Sequence, residues 1–121
     1  QSFKTANTGS IGDLKIDARA LVPDVFDLRQ NYPNPFTSST TIEYDVPETQ
    51  QIVLRIFNIR GQLVKTLVEE EQSAGYKSVT WDGTNNNGDS VSAGIYFCQM
   101  YTPANPYGGQ FIRTKKMLRL R

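Results

Sequence analysis

Histidine is absent from these 121 residues, and cysteine and tryptophan occur once each. Without histidine the chain lacks the commonest general base and the commonest zinc ligand. A lone Cys98 excludes an intrachain disulfide, so the fold has to stand on packing. Its place between Tyr96 and Met100 reads as a buried small hydrophobe rather than a reactive thiol. No sign of charge dominates: 13 Lys and Arg stand against 12 Asp and Glu, a net charge of +1. That balance gives no electrostatic reason to expect nucleic acid or an anionic membrane surface as partner. No apolar run approaches the roughly 18 to 20 residues of a spanning helix, so no membrane insertion is expected. The chain opens on Gln1 with neither a Met nor a basic-then-apolar leader, which reads as a processed or excised end.

What the sequence does hold is one short strand pattern after another. The stretch Gly88 to Met100 joins a polar loop to the most apolar of them. Tyr96, Cys98 and Met100 fall on one face and Ile95 and Phe97 on the other, as in a strand central to its sheet. Trp81 ends the preceding strand pattern, in step with Val79, and is the natural centre of a core.

Taken in order, residues 1–10 are polar, and residues 13–22 alternate strictly. Leu14, Ile16, Ala18, Ala20 and Val22 share one side; Asp13, Lys15, Asp17 and Arg19 share the other. Such a strand needs a sheet to pair with, either its own or a neighbour's. Pro23 ends it. Val25 to Leu28 is a short run leading to Tyr32-Pro33-Asn34-Pro35-Phe36, a rigid extended turn expected to carry aromatic anchors at both ends. Strands are then expected over 40–46, 52–58, 63–68, 76–81, 95–100 and 111–120. Glu69-Glu70-Glu71 reads as a solvated edge. Lys115 and Lys116 are expected outward of Met117, Leu118 and Leu120, on a terminal edge strand protected by charge. Turn signals at this spacing, with no helical period, indicate an antiparallel β-sandwich of about seven strands with an extra N-terminal strand. A small closed barrel is the alternative.

An ordered set of motifs then carries a resemblance. Asn31-Tyr32-Pro33-Asn34-Pro35-Phe36, Ser39 to Tyr44, and Ile56-Phe57-Asn58-Ile59-Arg60-Gly61-Gln62-Leu63-Val64 come first. Gly75 with Val79-Thr80-Trp81-Asp82-Gly83, Ala93-Gly94-Ile95-Tyr96-Phe97, and Lys115-Lys116-Met117-Leu118 follow. In this order the chain resembles the C-terminal sorting domain of proteins exported by the type IX secretion system. Its strands and Trp-Asp-Gly region are also similar to the Ig-like domain of flagellar hook-capping proteins. The resemblance implies an Ig-like, fibronectin-type-III-like sandwich over 28–121, with residues 1–27 as an extension. It implies no catalysis and no cofactor, a secreted or cell-surface location, and recognition by a secretion translocon or surface attachment machinery. The sorting residues it points to are Gly94, Tyr96, Lys115, Lys116, Met117 and Leu118. Such a domain normally follows a large passenger, whereas only the short extension precedes it here.

Other chemistry is sparse. Asp82, Asn85, Asn87 and Asp89 are oxygen donors that could ligate calcium, but the spacing is not that of an EF-hand, no bidentate Glu follows, and a turn is the better reading. The three consecutive glutamates cannot act as a glycosidase pair, because neighbours on a strand point apart. Tyr32, Tyr101 and Tyr107 lie in or beside loops, which leaves carbohydrate or ligand binding as a third function. The second is a structural subunit of an extracellular filament, polymerising by donation of residues 13–22, with Leu14, Ile16, Ala18, Ala20 and Val22 filling alternate pockets.

Overall fold

Polar-apolar alternation punctuated by Pro and Gly gives seven strands among the described residues, 22–103 and 110–121 of the computed structural model. They are Asp27–Leu28 (β1), Thr40–Val46 (β2), Gln50–Asn58 (β3), Leu63–Gln72 (β4), Gly75–Trp81 (β5), Gly94–Thr102 (β6) and Phe111–Arg119 (β7). All neighbours are antiparallel, in one sheet ordered β1-β2-β5 and another ordered β4-β3-β6-β7. The fold is an Ig-like β-sandwich, and β6 lies inside its sheet as its two apolar faces require. Among the described residues no helix is long and apolar enough to cross a membrane.

The core is built by period two. Ile42, Tyr44 and Val46 of β2 meet Ile52, Leu54 and Ile56 of β3 and Tyr96, Cys98 and Met100 of β6, with Met117 from β7. Trp81 is fully buried, and its ring meets Phe36 and Tyr96 edge-on at 5.5 and 5.3 Å. Its indole N–H donates to the Thr84 carbonyl at 2.9 Å, so the one polar atom of the ring is satisfied. Burial pushes the Cys98 thiol up to about 12, the behaviour of a small core hydrophobe.

Several expectations need correction. Tyr32 is not a buried anchor: its ring is 80% exposed, and only Phe36 is buried at that turn. Tyr32 holds the turn through its backbone instead, exchanging two hydrogen bonds with Thr41. In β7, Lys115 shares the inner row with Met117, whereas Leu118 and Leu120 stand exposed in the outer row with Lys116. Asp45 follows the outward parity of Glu43 yet is buried, because the Arg29 guanidinium closes over it at 2.7 Å. The strand expected to stop at Val68 runs on to Gln72, with the three glutamates exposed along it. Of the alternating segment 13–22, residues 13–21 lie outside the described residues, as does Tyr107; Val22 sits at a bend beside Pro23.

Candidate functional site

The six residues singled out for sorting converge on one strand pair. In the β6–β7 register Gly94 faces Arg119, Ile95 faces Leu118, Tyr96 faces Met117, Phe97 faces Lys116 and Cys98 faces Lys115. They divide by role. Tyr96 and Met117 are core, the Tyr96 hydroxyl donating to the Ser92 carbonyl at 2.7 Å. Gly94 has a φ of 147°, a backbone setting that favours glycine where the strand begins. Lys116 and Leu118 are the exposed members, in an outer row completed by Ile112, Thr114 and Leu120.

The free edge of β7 is closed by the segment before β2, a feature the sequence reading missed. Phe36 donates its N–H to the Leu118 carbonyl at 3.0 Å and accepts the Leu120 N–H at 2.7 Å. The Asn34 side-chain carbonyl accepts the Leu118 N–H at 2.9 Å, and the Gln30 amide donates to the Lys116 carbonyl at 2.8 Å. Asp27 pairs with Arg113 at 3.1 Å. The edge is therefore shielded by backbone and side-chain amides, and not by charge alone.

Arg119 is the second residue missed. Its guanidinium donates to the carbonyls of Thr37, Gly83 and Val91, tying the β7 end to two loops. A Cβ at Gly83 would lie 2.9 Å from the Arg119 guanidinium carbon, and φ there is 76°. The Trp-Asp-Gly motif thus needs its glycine for close approach, which was the available signal.

In the loop after Trp81, Asp82 and Asn85 turn side-chain oxygens onto the loop itself. Asp82 Oδ1 accepts the Thr84 hydroxyl at 2.5 Å and the Thr84 N–H at 3.2 Å, and the hydroxyl bond holds the Asp82 carboxyl below its ordinary 3.8. Asn85 Oδ1 accepts the N–H groups of Asn87 and Asp89 at 2.9 and 3.0 Å. These are turn-forming bonds of the Asx kind. Among the described residues no group of three or more His, Cys, Asp or Glu side chains could hold a metal ion.

Residues 34–105 match the FlgD Ig-like domain family. The chain belongs to that family. The FlgD-type Ig-like fold also appears in solved structures. The dimeric latent PorU of Porphyromonas gingivalis superposes with a TM-score of 0.63 at 25% identity, covering 79% of this chain and 9% of that one. FlgD of Xanthomonas campestris, described in connection with hook capping in flagellar assembly, gives 0.53 at 24%, covering 80% of this chain and 66% of that one. PorZ of Porphyromonas gingivalis, described as an essential surface component of the type-IX secretion system, gives 0.49 at 19%, covering 81% and 12%, a likeness too slight to bear on function. The chain thus spans less than two thirds of each of these proteins. No curated protein matches it.

Proposed function

We propose that this FlgD-type Ig-like domain is a non-catalytic module of a secreted or cell-surface protein, spanning residues 28–121 behind an extension of residues 1–27. In this reading its C-terminal strands are the signal that a secretion translocon or surface attachment machinery reads. The observation that carries it is the outer row of β7. Ile112, Leu118 and Leu120 are 50%, 37% and 45% exposed beside Lys116, in a strand whose inner row already supplies its packing. Apolar side chains next to a cation, turned away from the core, suit a partner surface better than they suit water. The ordered sorting-type motifs, which end on these residues, support the same reading.

The test is export of a folded reporter fused ahead of the domain, in a host with the type IX machinery. Lys116→Glu with Leu118→Ser changes the outer row and leaves Met117 and the β6 register in place. Export is expected to fall at least tenfold while the purified variant melts as the parent does. Undiminished export of the doubly substituted chain would sink the sorting reading.

A second reading, a structural subunit of a surface assembly, is favoured by one specific feature. Among the described residues, β5 is the sheet edge with neither a cover nor a row of like charges.

A further inference from the structure

The edges of the two sheets are not equally defended. That of β7 is closed by residues 27–37, as described. That of β4 is covered at its start by Asn86, whose side-chain carbonyl accepts the Thr66 N–H at 3.0 Å and whose N–H donates to the Val64 carbonyl at 3.0 Å. Its remainder carries Glu69, Glu70 and Glu71, all exposed. The β1 edge is two residues long and abuts β7. On β5, among the described residues, no backbone group outside β2 is bonded.

The register shows which groups face out from β5. Glu43 gives its carbonyl to the Arg29 N–H, and Thr41 exchanges two bonds with Tyr32, so the backbone groups of both point toward the β1 side of β2. Their partners across β5, Ser78 and Thr80, are therefore non-hydrogen-bonded pairs whose N–H and C=O point away from β2. Tyr76, two residues earlier, does the same. A ladder of donors and acceptors is thus presented along Tyr76, Ser78 and Thr80. The strand's one charged residue, Lys77, is drawn back to the Ser73 hydroxyl at 3.3 Å. The margin of the core is incompletely covered: Val79 of β5 and Val64 and Leu67 of β4 are only partly buried against it.

We propose that this β5 edge is the acceptor for residues 13–22 of a second copy of the chain, whose Leu14, Ile16, Ala18, Ala20 and Val22 would cover Val79, Leu67 and Val64. The position of the donor's root makes the pairing intermolecular. The chain enters the sandwich on the opposite side, where Phe26 packs on Phe111 at 5.6 Å and Asp27 pairs with Arg113. From β1 to the position beyond β5 is three strand spacings, about 14 Å. A chain crossing that gap within one molecule needs about four extended residues at about 3.4 Å each. Residues 23–26 do not span it, because the chain bends at Val22, Asp24 and Val25, so the crossing would use up part of the alternating segment and break the apolar row. A neighbour's segment loses nothing. Because donor and acceptor are different surfaces of the chain, the contact is heterologous, and with a rotation that does not close it propagates as a filament. This rests on the assembly reading and is independent of the sorting reading.

Two substitutions separate the halves of the contact. Ile16→Asp spoils the donor, outside the sandwich; Ser78→Pro removes an outward N–H from β5 without touching a β2–β5 hydrogen bond. By sedimentation velocity and negative-stain microscopy the parent chain is expected to form polydisperse filaments, and each variant alone to stay monomeric with the parent's circular dichroism. An equimolar mixture of the two is expected to give heterodimers and nothing longer, since one keeps its acceptor and the other its donor. A monomeric parent at high concentration would overturn both this proposal and the assembly reading. Filaments formed by Ser78→Pro alone, or a mixture that stays monomeric, would overturn β5 as the acceptor and leave assembly by another surface standing.

Discussion

The Asn34 side chain accepts the backbone N–H of Leu118 at 2.9 Å, so the turn before the first long strand closes the last strand of the chain. With Phe36 and Gln30 it forms a clasp along the outer side of β7. Replacing Asn34 by Ala leaves that N–H to water and is expected to cost about 0.5 to 1.5 kcal/mol. Hydrogen exchange offers the direct check: the Leu118 amide should exchange at least several-fold faster than in the parent, and amides of β3 should not change. Equal protection of Leu118 in both chains would show that the clasp does not depend on this bond.

Trp81→Ala removes the ring on which Phe36 and Tyr96 both pack, and leaves the Thr84 carbonyl without its donor. Large aromatic truncations in packed cores cost about 3 to 5 kcal/mol. Urea unfolding followed by circular dichroism should register a loss of that size. A midpoint close to the parent's would mean that Trp81 is not the centre of the core.

The Asp82 carboxyl is held below 3.8 first by the Thr84 hydroxyl. A carboxyl depressed in the folded state stabilises the fold above its unfolded value and loses that contribution as pH falls through the folded one. The Asp82 contribution is thus present above about pH 4 and disappears below it. Carbon-detected NMR should place the Asp82 midpoint below 3.8, and Thr84→Val should raise it. A midpoint unmoved by that substitution would assign the depression to another cause.

Cys98 is held in its thiol form up to about 12 by burial. At pH 8 a disulfide reagent should leave the native chain unlabelled over hours and label it within minutes in denaturant. Rapid native labelling would contradict the buried position.

Much of this was legible in the sequence, and the rest has a common cause. β2 begins and ends where its alternation does, because Pro47 stops it and every second residue is apolar. Trp81 and Cys98 were recognisable as core from their place in a period-two pattern. Tyr32 misled because an aromatic beside proline suggests a packed ring, whereas the turn is held by its backbone. Asp45 looked like a surface residue because nothing nearby in sequence announces Arg29, 16 positions away, as its cover. The clasp on β7 was invisible for the same reason on a larger scale. Among the proposed site residues, the motifs located the strand pair, but grouping Met117, Leu118 and Leu120 by apolarity overrode the alternation that turns Lys116 and Leu118 to solvent and Met117 to the core.

The clasp also sets an order of events in folding. Its two halves, Asn34 and Leu118, lie 84 residues apart. Closing a flexible loop of that length costs about 4 kcal/mol before any contact offsets it. Residues 27–37 therefore have no edge to grip until nearly the whole chain is available, and the sandwich cannot be completed from its N-terminal side alone. However the domain is delivered, residues 30–36 wait on β7, and the strand made last is the one that fastens the segment made first.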